Sequence, residues 1–215
     1  MAIFMNIYNR LYKAYGPQNW WPADSPFEMM IGAILVQGTN WNNVEKAIQQ
    51  LKPWLVPEKL ETLSVEELAR LIRPAGFYNV KARRIFSFLH WFKAYEFDLE
   101  KVKAHEGTCL RNELLRIYGI GKETADCILL YALDKPFFVV DAYTRRIFYR
   151  VGLDMPQAYD EFQQKVEGNI PRSLQVYNEY HALLVEHAKR HCRKKPICDG
   201  CPLAGICQRR IEVIE

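Results

Sequence analysis

Four of the six cysteines in this 215-residue chain crowd its end: Cys192, Cys198, Cys201 and Cys207. Five, two and five residues separate them. Thiolates at such spacing hold zinc or an iron–sulfur cluster. A secreted disulfide framework would instead spread through the chain and need an oxidising compartment. A second group is the run Gly119-Ile120-Gly121-Lys122-Glu123-Thr124. Glycine permits a positive φ and a close backbone approach, and free N–H groups at a helix start suit a phosphate. The same run also suits an ordinary helical hairpin, with Ile120 plugging the space between its helices. About twenty residues on, the apolar Val139-Val140 ends in Asp141, which opens a helix. Aspartate there can cap the helix, for ~1 kcal/mol, or set a carboxylate where positive charge develops in a reaction.

The basic residues are localised. The segment 189–210 carries a net charge of +6, whereas the whole chain carries +4. Its run Arg193-Lys194-Lys195 reads as a solvated face or as a nucleic-acid patch. The tryptophans Trp20, Trp21 and Trp41 stand in a chain that is 13% aromatic, so they suit a core or an aromatic pocket. His181, His187 and His191 read as packing or phosphate contacts, because four cysteines already complete a metal site.

These residues need elements to hold them, and the periodicity is helical almost throughout. Ser25-Pro26-Phe27-Glu28 and Ser64-Val65-Glu66-Glu67 are helix-start signals. Further helices are expected over 5–15, 44–51, 81–95, 111–118, 122–133, 142–151, 159–166 and 174–191. The only strand-like piece is Phe137-Phe138-Val139-Val140, too little to build a sheet. The expected class is all-α, with roughly ten helices. Composition agrees with a packed domain: 49% hydrophobic and 25% charged residues exclude disorder, collagen-like repeats and a pure coiled coil. The longest apolar run, Met29 to Val36, is broken by Gly32 and falls short of the ~20 residues a membrane span needs. No secretory signal is visible, so a cytoplasmic location is expected.

Gly119-Ile120-Gly121 followed by Val139-Val140-Asp141 resembles the helix-hairpin-helix superfamily of DNA base-excision glycosylases, and the four-cysteine end resembles its endonuclease III branch. The resemblance implies two helical lobes with a helix-hairpin-helix motif and a C-terminal iron–sulfur loop. One lobe would span 25–138 and the other 1–24 with 139–215, with DNA across the groove between them. It implies a [4Fe–4S] cluster on Cys192, Cys198, Cys201 and Cys207, although the first gap is one residue shorter than usual in that branch. It makes Asp141 the catalytic carboxylate. Gln37 and Phe77 match two DNA-facing loops, and Lys81, Gly119, Gly121, Lys122, Thr124 and Lys194 are the further expected DNA contacts.

Two departures refine the implied chemistry. Endonuclease III forms a Schiff base through a lysine early in the second hairpin helix, and the matching residue here is Glu123. A carboxylate cannot form an imine, and Lys122 lies about 100° away around the helix. The resemblance therefore implies a monofunctional glycosylase with weak or absent lyase activity. Trp20-Trp21-Pro22-Ala23 and Gln37-Gly38-Thr39-Asn40-Trp41 resemble a subgroup that includes bacterial 3-methyladenine glycosylases. Trp20, Trp21, Trp41 and Glu123 would then line a pocket for a flipped cationic purine, worth ~0.5–2 kcal/mol per cation–aromatic contact. The implied partner is damaged double-stranded DNA, met by a monomer associated with the nucleoid. The alternatives are a bifunctional glycosylase/lyase on oxidised pyrimidines and a non-catalytic DNA-binding module.

Overall fold

The computed structural model describes residues 2–20 and 23–211. Among them are twelve α-helices and no strand. In chain order they are α1 (Ala2–Tyr15), α2 (Pro26–Leu35), α3 (Trp41–Leu51), α4 (Pro57–Leu60), α5 (Val65–Leu71), α6 (Tyr78–Lys93), α7 (Leu99–Lys103), α8 (Gly107–Leu114), α9 (Lys122–Tyr131), α10 (Ala142–Val151), α11 (Tyr159–Glu167) and α12 (Leu174–Arg190). No helix among the described residues is long and apolar enough to cross a membrane.

The chain divides into two compact units, Pro22–Lys135 and Met1–Trp21 with Pro136–Glu215. The first is built around α2. Ser25 caps that helix by accepting from Glu28 N at 3.1 Å, and Pro26 opens it. Every residue from Met29 to Leu35 is buried. A helix apolar on all sides must be surrounded, and α3, α6 and α9 pack against it. Ser64 and Glu67 form a reciprocal capping box at the head of α5.

The hairpin helices differ in frame from the sequence expectation. A helix was expected over 111–118, whereas α8 runs Gly107–Leu114. Glu106 starts it early, its carboxylate accepting from Thr108 N and Cys109 N at 2.8 and 3.2 Å. The chain then turns and α9 begins at Lys122. Arg111 on α8 pairs with Asp126 on α9 through two bonds of 2.7 and 3.2 Å, and Asp126 is fully buried. A bidentate Arg–carboxylate fork fixes angle as well as distance, so the two hairpin helices are locked at a set orientation.

In the second unit, α1 and α10 pack on α12. Phe4, Phe148 and Tyr180 meet there, with ring centroids 5.5 and 6.2 Å apart. The Tyr180 hydroxyl donates to Phe4 O at 2.7 Å, which satisfies a phenol that is otherwise fully buried. The strand-like segment Phe137–Val140 pairs with no strand. Its polar backbone groups go to side chains of α11 instead: Phe138 N to Glu167, Val140 N to the Tyr159 hydroxyl, and Gln163 Nε2 to Phe138 O. Phe138, Val139 and Val140 are buried at 0, 0 and 1% exposure. This braced apolar segment delivers the chain to Asp141.

Candidate active site

Asp141 ends the buried segment with extended backbone and caps α10, its Oδ1 accepting from Thr144 N at 2.7 Å. Its Oδ2 lies 3.4 Å from His181 Nε2 on α12, and the two side chains are 12% and 4% exposed. Burial raises the carboxyl's affinity for a proton. The nearby His181 and the Thr144 backbone N–H outweigh that, and the net shift is downward. The carboxylate is therefore ionised at neutral pH. Trp20 lies against His181, with ring centroids 5.8 Å apart and planes at 53°. The segment carrying Trp20 is tied to α12 by Gln18 N donating to Glu179 Oε1 at 2.6 Å.

Sequence reasoning gave His181 only a packing or phosphate role. The structure puts it on the carboxylate. No local pattern marks this, since the two residues are forty positions apart and meet only through the packing of α10 on α12.

The cysteines gather in the same unit. Cys192, Cys198, Cys201 and Cys207, all free thiols, line one cavity of about 60 Å³. No three His, Cys, Asp or Glu side chains among the described residues converge closely enough to hold a single metal ion. Arg150 Nη1 donates to Cys192 Sγ at 3.5 Å, and Arg209 N donates to Cys207 Sγ at 3.4 Å. His187 Nε2 lies 3.9 Å from Cys201 Sγ, and its Nδ1 meets the Tyr15 hydroxyl at 2.8 Å. Burial, with His191 beside it, pushes His187 down to about 4, so this imidazole is neutral at pH 7. Lys194 is exposed, and its carbonyl accepts from Arg150 at 3.0 Å.

In the hairpin unit, Gly119 sits at φ +80°, and a Cβ there would land 2.3 Å from Arg84 Cγ. Gly121 has open space around it and caps α9 without any side-chain bond. Ile120 is buried at 5%, while Lys122 and Glu123 on the first turn are exposed. Trp41 is half-buried, its indole N–H donating to Glu45 at 2.9 Å. Trp21 lies outside the described residues.

Three of the expected DNA contacts are placed otherwise. Lys81 is 1% exposed, and its ammonium donates to Leu35 O and Ala75 O at 2.8 and 2.7 Å. It cannot reach a phosphate. It holds instead the carbonyls from which the loops carrying Gln37 and Phe77 depart. Thr124 is buried at 8%, and its hydroxyl accepts from Gln37 Nε2 at 2.9 Å. The Gln37 amide also donates to Gly119 O at 3.0 Å and accepts from Arg84. In this conformation Gln37 braces the hairpin rather than projecting from it. Phe77 does project: it is 73% exposed, at φ +46°, and its ring lies over Gly38.

A family model described as HhH-GPD superfamily base excision DNA repair protein matches residues 31–172. A protein of Methanocaldococcus jannaschii with the provisional name DNA repair glycosylase is 51% identical, over 94% of each chain. Endonuclease III of Thermotoga maritima is 29% identical, over 89% of this chain and 86% of its own. Among solved structures, H. pylori 3-methyladenine DNA glycosylase bound to 1,N6-ethenoadenine is similar at a TM-score of 0.75 and 30% identity, covering 87% of this chain and 97% of that one.

The buried Lys81 ammonium gives a pH signature. Burial, with Arg84 nearby, lowers it from 10.5 to about 8. Between those values the unfolded chain binds the proton and the folded chain has released it, so stability gains with rising pH. Denaturation of wild type and Lys81→Met between pH 7.5 and 10 should show the difference moving in the wild type's favour as pH rises. A flat difference across that window would contradict the placement of the ammonium.

Proposed function

Because the chain belongs to the HhH-GPD superfamily of base excision DNA repair proteins, we propose that it excises alkylated purines such as 3-methyladenine from double-stranded DNA as a monofunctional glycosylase. The observation that carries this reading is an ionised, nearly buried Asp141 in a chain whose hairpin position 123 is a carboxylate. Similarity to the H. pylori enzyme supports the purine class.

The chemistry follows from those groups. A damaged nucleotide leaves the stack, at a cost of a few kcal/mol. Its bond from the sugar C1′ to the base nitrogen then breaks, and the electron pair leaves with the base. An N-alkylated purine is cationic and departs neutral, so little acid assistance is needed. Positive charge develops on the sugar, where the fixed Asp141 carboxylate stabilises it. Water adds to C1′ and gives up a proton. Glu123 offers no amine for an imine, so the strand stays intact. Trp20, in the unit that holds Asp141, offers an aromatic face to a cationic base, and Trp41 and Glu123 are further lining residues on this reading.

DNA binding is assigned to surfaces that are open. Phe77 serves as the wedge, and the Gly119–Gly121 turn with Lys122 serves phosphates. Lys194 in the basic loop adds a backbone contact whose loss would reduce the salt dependence. Gln37 reaches DNA only by leaving its hairpin bonds. The protein acts as a monomer in the cytoplasm, on the nucleoid.

Cys192, Cys198, Cys201 and Cys207 are assigned to a [4Fe–4S] cluster. Four thiols ringing a cavity, with N–H donors aimed at two sulfurs, suit a group with a body of its own better than one ion. When bound, the cluster supplies iron–thiolate bonds that cross-link the last loop.

Four measurements test these assignments. On a panel of defined lesion duplexes run with and without alkali, the protein should release 3-methyladenine and cut the strand only after alkali. Borohydride should trap no covalent complex, and Trp20→Ala should slow release about tenfold, the scale of ~1.4 kcal/mol. Release of thymine glycol with none of 3-methyladenine would contradict the substrate class. Anaerobically purified protein should carry four irons per cluster-bearing chain, by the ~four-iron stoichiometry of such sites; stoichiometric zinc without iron would contradict the cluster.

A further inference from the structure

We propose that His181 is a positioning residue for Asp141, an imidazole set between the Trp20 indole and the carboxylate that fixes the plane in which the carboxylate meets the sugar. This rests on the reading of Asp141 as the group that acts on the sugar.

The two oxygens of Asp141 have different duties. Oδ1 is committed to Thr144 N at 2.7 Å, which closes the cap of α10. That bond alone leaves the carboxylate free to swing, because rotation about a terminal sp³–sp² bond is broad. Oδ2 is the oxygen not used by the cap, and His181 Nε2 faces it at 3.4 Å. A second restraint from another helix turns a swinging group into a fixed one.

His181 is itself well held. It comes from the middle of α12, where residues Tyr177 and 179–185 are all buried. Trp20 covers its ring at 5.8 Å. The chain before Trp20 is anchored to the same helix through Gln18 N and Glu179 Oε1 at 2.6 Å. The ring that seats the imidazole and the imidazole itself therefore share one support. Such arrangements matter because a displacement of about 1 Å at a reacting group can cost ~100-fold in rate.

The charge sense agrees with the geometry. A ring nitrogen 3.4 Å from Oδ2 favours the ionised carboxylate when it carries a proton, and this offsets the cost of burying the charge. A purely apolar side chain at position 181 would leave Oδ2 buried with its restraint removed. Glutamine can present an N–H at similar reach to Nε2. Leucine cannot.

The test uses the full-length protein, with variants His181→Gln, His181→Leu and Asp141→Asn. Ring ¹⁵N spectra of His181 are recorded in wild type and Asp141→Asn. Changed ring shifts in the variant support the contact, and unchanged ones overturn it. Single-turnover base release is then compared with binding to a duplex carrying an abasic-site analogue. His181→Leu should lose about 100-fold in release while its Kd stays within about threefold. His181→Gln should recover about tenfold or more of that loss. Equal losses in both variants, or a Kd that rises as much as the rate falls, would reduce His181 to packing and overturn the proposal. His181→Gln changes volume little and keeps the comparison open should His181→Leu lose its fold. If the wild type releases no base from any duplex, the functional reading fails separately, and the ring spectra alone decide the proposal.

Discussion

A carboxylate at the head of α10 has to remain ionised although it is almost out of water, and much of its unit serves that one requirement. An isolated buried charge is costly. Asp141 meets the cost through the Thr144 backbone and through His181, and the net effect holds its pKa below the ordinary value. Everything that delivers those partners is then constrained. Phe138, Val139 and Val140 must be buried to bring the chain to Asp141. With no neighbouring strand, their backbone groups need Tyr159, Gln163 and Glu167 on α11. The packing of α10 on α12 brings His181 into range. Asp141 keeps 12% of its side chain open to solvent.

A similar economy governs the hairpin unit. Lys81 buries a cation, and the Leu35 carbonyl at the end of α2 and the Ala75 carbonyl in the turn before α6 accept from it. Carbonyls at the end of a helix carry excess negative charge, so an ammonium there gains from both the bond and the dipole. The same contact fixes where the loops of Gln37 and Phe77 begin. Phe77 then takes a left-handed backbone, unusual for a bulky residue and the sort of local strain found at functional loops. Gln37, Arg84, Gly119 and Thr124 form one polar knot on the hairpin. Arg111 and Asp126 brace the two hairpin helices from the buried side. Gly121, at the head of α9, has open space around it.

Much of this is legible in the sequence. Apolar spacing and caps at Ser25 and Ser64 read out an all-α chain, because helix starts are local chemistry. Asp141 stood out as a helix-opening carboxylate after an apolar run, and the cysteines by their spacing. What stayed hidden was non-local or ran against habit. Lysine is seldom buried, so Lys81 read as a DNA contact. The hairpin helix α8 was misframed because Glu106, an uncommon cap residue, starts it. Phe137–Val140 has strand composition, but a strand needs a neighbour and the sequence supplies none. His181 meets Asp141 only in three dimensions, and a histidine on a helix carries no mark of its partner.

On the proposed function, the charge of Asp141, rather than its shape or its cap, stabilises the sugar as the glycosidic bond breaks. Single-turnover base release by Asp141→Asn, measured beside binding to the same lesion duplex, tests it most directly. Asparagine keeps the volume and an oxygen for Thr144 N but carries no charge. A loss of ~100-fold or more in release is expected, the scale of removing one preorganised electrostatic group, with binding retained. Release at the wild-type rate would contradict it.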